Sequence, residues 1–173
     1  MIGAAGAAAL LLSVGLLCVR RIDTAAWVCA LQALCAVMVL GESTAAVAVL
    51  AFAVNGVILP LVLVRTNAAP IPTLRNNTLL AWAMALALLV VIISVAARIG
   101  AGEIVAAGVS VTLFGILLAV LRSDGWVALG LLSSQNGLVL VAGANPDLSG
   151  TAAYAVAVPL VPGLIIAGMR LRR

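Results

Sequence analysis

The sequence predicts an all-α integral membrane protein of seven transmembrane helices, with its N-terminus outside and its C-terminus in the cytoplasm. Three observations carry that expectation. Hydrophobic residues make up 66% of the 173 and charged residues only 8%, whereas a soluble domain is roughly half apolar and a quarter charged. The apolar residues gather in seven runs, each near the about 20 residues that a helix needs to cross ~30 Å of hydrocarbon. All nine cationic residues are arginine, and eight of them fall in alternate connections between the runs. Lys and Arg are retained on the cytoplasmic flanks of membrane spans, so that alternation sets direction as well as class.

Each element follows in order. The first run, about Ile2 to Val19, has no basic residue before it and Arg20-Arg21 after it. A secretory signal has the reverse charge order, so a retained span is expected. The second run covers Thr24 to Leu40 and the third Thr44 to Val64. The stretch from Arg65 to Asn77, with Pro70 and Pro72, is the longest connection. It divides a three-helix unit (1–64) from a four-helix unit (78–173), and is itself the cytoplasmic connection (65–77). The remaining runs cover Thr78 to Ala97, Ile104 to Leu121, Trp126 to Ala144 and Thr151 to Met169. Arg20, Arg21, Arg65, Arg75, Arg122, Arg170, Arg172 and Arg173 then share the inner face, against Arg98 alone on the outer one. Glu42, Glu103 and Asp147 fall in outer connections, while Asp23 and Asp124 sit beside cytoplasmic arginines.

Composition also removes whole classes of function. No basic patch alternates with aromatics, which are 3% of residues, so nucleic acid is not an expected partner. Cys18, Cys29 and Cys35 form no CxxC pair and the chain has no His; no metal or other cofactor is expected, and the thiols read as small hydrophobes. Nearly all of the chain is used by the spans, which leaves no room for a soluble catalytic domain. Catalysis by this chain alone is not expected.

What chemistry remains lies in polar groups at depth. Gln32 stands in the second run, Asn55 in the third, and Gln135 with Asn136 in the sixth, extended by Ser133 and Ser134. A buried amide without a partner costs a few kcal/mol, so these groups must pair with one another, a neighbouring subunit or water. They serve either as interhelical contacts or as the lining of a hydrated polar lane. No Asp, Glu, Lys, Arg or His stands near the centre of any run, and proton pumps normally carry such groups there. Pro60, Pro159 and Pro162 each remove a backbone donor and are expected to kink their helices. Small residues crowd Gly3 to Ala9 and the alternate positions Ala81, Ala83, Ala85 and Ala87, where helices can approach closely. Ser13 to Leu17 echoes Phe114 to Leu118, and Trp27 echoes Trp126. In a chain this rich in Ala, Leu and Val that is a slender basis for a duplication, which the alternation would make a parallel one.

The stretch Val111 to Leu118 and the stretch Leu129 to Gly137, with Gln135-Asn136-Gly137 at its end, resemble the K subunit of respiratory complex I. With the additional N-terminal spans the chain looks most like the membrane component E of hydrogenase-4 and formate-hydrogenlyase-type complexes. The resemblance implies a glutamate where Gln135 stands, a lysine where Asn55 stands before Pro60, and acidic residues after Pro159-Leu160-Val161, where Pro162-Gly163 follows here. All three ionisable positions are neutral. What the resemblance implies is a non-catalytic membrane subunit of a complex-I-related, hydrogenase-type redox complex. It would pack between antiporter-like and other membrane subunits in a bacterial or archaeal cytoplasmic (inner) membrane. There it would line or seal a polar path for protons through Gln32, Asn55, Gln135 and Asn136. A small independent transporter and an assembly factor are the alternatives.

Overall fold

A computed structural model describes residues 2–40, 48–49, 51–66, 83, 86–87, 89–94, 98, 102–121 and 124–144. Pro159, Pro162 and the seventh run, most of the fourth run and of the connection 65–77, and Arg75, Arg122, Arg170, Arg172, Arg173, Glu42 and Asp147 lie outside them. Every described residue is helical except Val19, Arg20, Arg21, Gly102 and Ala144. The elements are α1 (Ile2–Cys18), α2 (Ile22–Leu40), a π-helical turn (Phe52–Ile58) running into α3 (Leu59–Thr66), α4 (Glu103–Leu121) and α5 (Asp124–Gly143).

Ala and Leu favour helix, and the strings they form with Val are apolar on all sides here, as spans surrounded by lipid are. Three helical segments, Ile22–Leu40, Glu103–Val120 and Trp126–Gly143, are long and apolar enough to cross a membrane; Gly3–Cys18 and Phe52–Arg65 are apolar but shorter. These helices fit a membrane protein. Large side chains such as Leu11, Trp27, Met38, Val90 and Val120 face outward. Asp23 and Glu103 stand in the first turns of α2 and α4, where a negative charge meets the positive end of the helix dipole. Arg21 and Asp23 form an exposed ion pair at 3.4 Å in the α1–α2 turn.

Two antiparallel hairpins, α1–α2 and α4–α5, lie side by side. Gln32 of α2 reaches Ala9 and Ser13 of α1, and Gly108 and Gly115 of α4 approach Gly137 and Gly130 of α5. Across the hairpins, Gly3 and Gly6 of α1 face Glu103 and Ala107 of α4, so these two helices start on the same side. Likewise α2 and α5 run parallel: Cys29 meets Leu129, and Gly143 meets Val39 and Leu40. That is the directional relation expected of the first and second runs to the fifth and sixth. The tryptophan echo does not extend to packing, for Trp27 is 60% exposed and Trp126 only 6%.

Among the described helices, α4 and α5 make the tightest contact. Gly108 and Gly115 are one heptad apart on α4, and Gly130 and Gly137 one heptad apart on α5. A Cβ at Gly130 would lie 2.5 Å from the Gly115 carbonyl oxygen, and one at Gly137 2.5 Å from the Gly108 carbonyl oxygen. Only glycine allows this approach. In lipid, where burial of apolar surface does not favour one helix partner over a tail, such close packing is what holds helices together.

Pro60 has a local consequence. In an α-helix its ring would clash with the carbonyl one turn back, and it has no N–H to donate. The turn before it is widened to a π-helix, in which the Leu59 N–H bonds the carbonyl of Val54, five residues back. The expected kink therefore takes the form of a π-turn, and Asn55 and Gly56 are buried within it.

Packing along the bundle falls into layers. One apolar cluster joins Leu16, Cys29, Leu63, Phe114, Leu118 and Leu129 near the Arg20-Arg21 end. A second joins Ala9, Ala36, Val39, Val111 and Leu140 towards the opposite end. On α1, α2 and α5 alike, the deep polar residues stand between the two clusters.

Candidate functional site

That middle layer holds Ser13, Gln32, Asn55, Ser133, Ser134, Gln135 and Asn136, all buried. Each is carried on a helix whose two ends pack in the apolar clusters, so the layer is positioned by its surroundings and closed above and below. All six polar residues expected at depth are there. What the sequence did not indicate is which of them meet.

Gln135 and Asn55, 80 positions apart in the chain, are joined directly: Gln135 Nε2 donates to Asn55 Oδ1 at 3.1 Å. The π-turn sets the position of Asn55, so the proline and the amide pair are one structural feature. Asn136 Nδ2 donates to the carbonyl oxygen of Cys29 on α2 at 3.1 Å, and the Cys29 thiol makes a long contact of 3.8 Å with the Leu129 carbonyl. These contacts tie α5 to both α2 and the π-turn.

Gln32 does not join that group through a hydrogen bond. Its Nε2 donates to Ser13 Oγ at 2.6 Å and lies 3.4 Å from the Ala9 carbonyl oxygen, while the Ser13 hydroxyl donates to the same carbonyl at 3.0 Å. Ser13 was missed in the sequence, although as the one hydroxyl in the first run it was the available signal. Ser134 belongs to the glycine seam. Its hydroxyl lies 2.9 Å from the carbonyl oxygens of Thr112 and Gly130, and the Thr112 hydroxyl lies 3.2 Å from the Ser134 carbonyl and 2.9 Å from that of Gly108. Thr112 and Ser134 thus bridge the two helices in both directions. The seven-residue spacing of the four glycines would have found this seam.

Among the described residues, four buried polar atoms in the layer have no partner: Gln32 Oε1, Ser133 Oγ, Gln135 Oε1 and Asn136 Oδ1. Three are amide carbonyl oxygens, which only accept hydrogen bonds. None of these side chains titrates near neutral pH, so the layer can orient a donor but cannot store a proton by changing charge. Among the described residues no three His, Cys, Asp or Glu side chains come together to hold a metal.

No known protein family, curated protein or solved structure matches the chain.

Proposed function

We propose that the protein is a non-catalytic, seven-span subunit of a complex-I-related, hydrogenase-type redox complex in the cytoplasmic membrane of a bacterium or archaeon. It packs between antiporter-like and other membrane subunits and lines or seals a polar path at mid-membrane. The observation that supports this reading best is the Gln135–Asn55 hydrogen bond at 3.1 Å. On the resemblance to hydrogenase-4 component E, these are the positions of a glutamate and a lysine, two groups that would suit a contact across helices. Neutral amides at both preserve the contact and remove the charge.

The layered packing supports a path of one direction. Apolar clusters close the polar layer towards both membrane faces, so anything it lines runs within the membrane plane, from one neighbouring subunit to the next. A chain without a central titratable group relays protons only by orienting water or partner side chains. In this role the chain is a spacer or seal between subunits that carry the charge.

Purification from its native membrane in mild detergent tests the proposal. Co-purification with antiporter-like membrane subunits and a hydrogenase-type redox module is the expected result. Recovery as a lone protein refutes it; catalysis of solute flux by that lone protein in liposomes would favour the independent transporter, and association only with assembly intermediates the assembly factor.

A further inference from the structure

We propose that the groove between α2 and the π-turn holds one acyl chain of an anionic phospholipid, whose phosphate meets Arg20 and Arg65. The groove has a volume of about 320 Å³ and is walled by Trp27, Leu31 and Leu34 of α2 and by Phe52 and Val57 of the π-turn. Gly56 lies at its floor, where a Cβ would stand 2.7 Å from two carbons of the Phe52 ring, so the missing side chain gives the ring its place in the wall. From Trp27 to Leu34 the groove runs about 10 Å along α2. Spread over that length, its volume leaves a section of about 30 Å², whereas a helix about 10 Å across takes more than twice that. A hydrocarbon chain fits and a helix does not.

In a bilayer an apolar groove alone selects nothing, because every lipid tail is equally apolar. Selection comes from the polar groups beyond it, which follow in the order in which a phospholipid presents its parts. Trp27, 60% exposed, stands about 9 Å along the helix axis from Arg21. Its indole N–H, a donor only, makes no hydrogen bond among the described residues. Such rings settle at the headgroup boundary, where the N–H can meet an ester carbonyl while the ring lies against the chain. Val57, Leu61 and Arg65 follow at i, i+4 and i+8 and are all exposed, so Arg65 ends the face that begins as the groove wall. Leu63 shares an apolar cluster with Ile22 and Cys29, which puts Arg65 at the Arg20-Arg21 end. Arg21 is engaged by Asp23 at 3.4 Å, which also offsets the one carboxylate that would repel a phosphate there. The guanidiniums of Arg20 and Arg65 are exposed and, among the described residues, in no ion pair. Two such forks suit the oxygens of a phosphate. The inference rests on the membrane setting of these helices and not on membership of any complex.

Tryptophan quenching by brominated lipid tests it. The full-length chain is reconstituted in phosphatidylcholine vesicles with rising fractions of brominated phosphatidylglycerol, and in phosphatidylglycerol vesicles with rising fractions of brominated phosphatidylcholine. The difference between the wild type and Trp27→Phe isolates the Trp27 signal. That signal is expected to saturate at a low fraction of the brominated anionic lipid, with a preference over phosphatidylcholine on the order of twentyfold, about fivefold from each arginine. Arg65→Gln is expected to lower the preference about fivefold. Arg98→Gln, an exposed position five before Glu103 at the end where α1 begins, is expected to leave it unchanged. Equal quenching by the two lipids, or an unchanged preference in Arg65→Gln, would overturn the proposal. A Trp27 signal that neither lipid quenches would overturn it too, and would show that protein covers the groove.

Discussion

Replacing Gly115 with alanine forces α4 and α5 apart. The new methyl would meet the backbone nitrogen and hydroxyl of Ser134 and stand 2.5 Å from the Gly130 carbonyl oxygen. Two of these three atoms are backbone, so no rotamer change relieves the clash. Restoring ordinary contact at about 3.5 Å requires the helices to separate by about 1 Å. The cross-helix hydrogen bonds donated by Thr112 and Ser134, now 3.2 and 2.9 Å, then stretch out of range. Each is worth about 0.6 kcal/mol in a membrane, and the overpacking itself costs about 1–3 kcal/mol.

Gly→Ala also raises helix propensity by up to about 1 kcal/mol, which would mask part of the loss. Gly15 supplies the correction, because a Cβ there meets nothing within 4 Å. Gly15→Ala carries the propensity gain without the clash. The expected quantity is therefore the difference between the two variants, about 2–4 kcal/mol, from the overpacking and the two lost bonds. Reversible unfolding in mixed detergent micelles measures it. A difference below about 0.5 kcal/mol, the usual scatter for an uninvolved surface site, would refute the close-approach reasoning.

Two further predictions concern Gln135. Gln135→Leu leaves the Asn55 carbonyl oxygen unpartnered and is expected to cost about 1–3 kcal/mol of stability. Adding Asn55→Leu should cost less than the sum of the singles, with a coupling of about 0.6–1.7 kcal/mol in a double-mutant cycle; strict additivity would show that the 3.1 Å contact contributes nothing. Gln135→Glu places a carboxyl in the same buried position, where desolvation raises its folded-state pKa above the ordinary value of about 4.3. Its stability should match the wild type below that ordinary value, fall as pH rises towards the folded-state pKa, and stay low beyond it. Wild type and Gln135→Leu should show no such fall, and parallel pH curves for all three would disprove the burial of the site.

Helical class and depth of the amides were readable because lipid imposes a simple rule: spans are long and apolar, and polar interruptions stand out. Gln32, Asn55, Gln135 and Asn136 were visible for that reason, and each is buried. Pairing was not readable. Nothing in the local sequence around Gln32 distinguishes a partner on α1 from one on α5, because partner choice depends on how the helices are rotated about their axes. Apolar residues on every side leave no amphipathic stripe to set that rotation. The glycines do set it for α4 and α5. Their heptad spacing is legible in both runs, Gly108 and Gly115 in one and Gly130 and Gly137 in the other. The π-turn was half legible: Pro60 announced a disturbance, and only the backbone shows that the turn before it is widened.

Neutral amides at positions 135 and 55 also simplify the energetics of the layer. A glutamate and a lysine at positions 135 and 55 would each lose several kcal/mol of hydration on burial, recovered only with excellent geometry and further hydrogen bonds. An amide pair makes one contact at 3.1 Å without that penalty. It leaves Gln135 Oε1 and Asn136 Oδ1 free instead of fully engaged. A neutral layer is thus cheap to hold between apolar clusters and retains acceptor capacity, whereas a charged one is costly to hold but can move a proton. Placing both charges together, with Gln135→Glu and Asn55→Lys in one chain, separates these two properties. If helix geometry alone preserves the contact, the double variant should fold with a loss smaller than the sum of the two single changes. If it unfolds at least as readily as that sum, the close pairing of these positions is a property of the amides and not of the bundle.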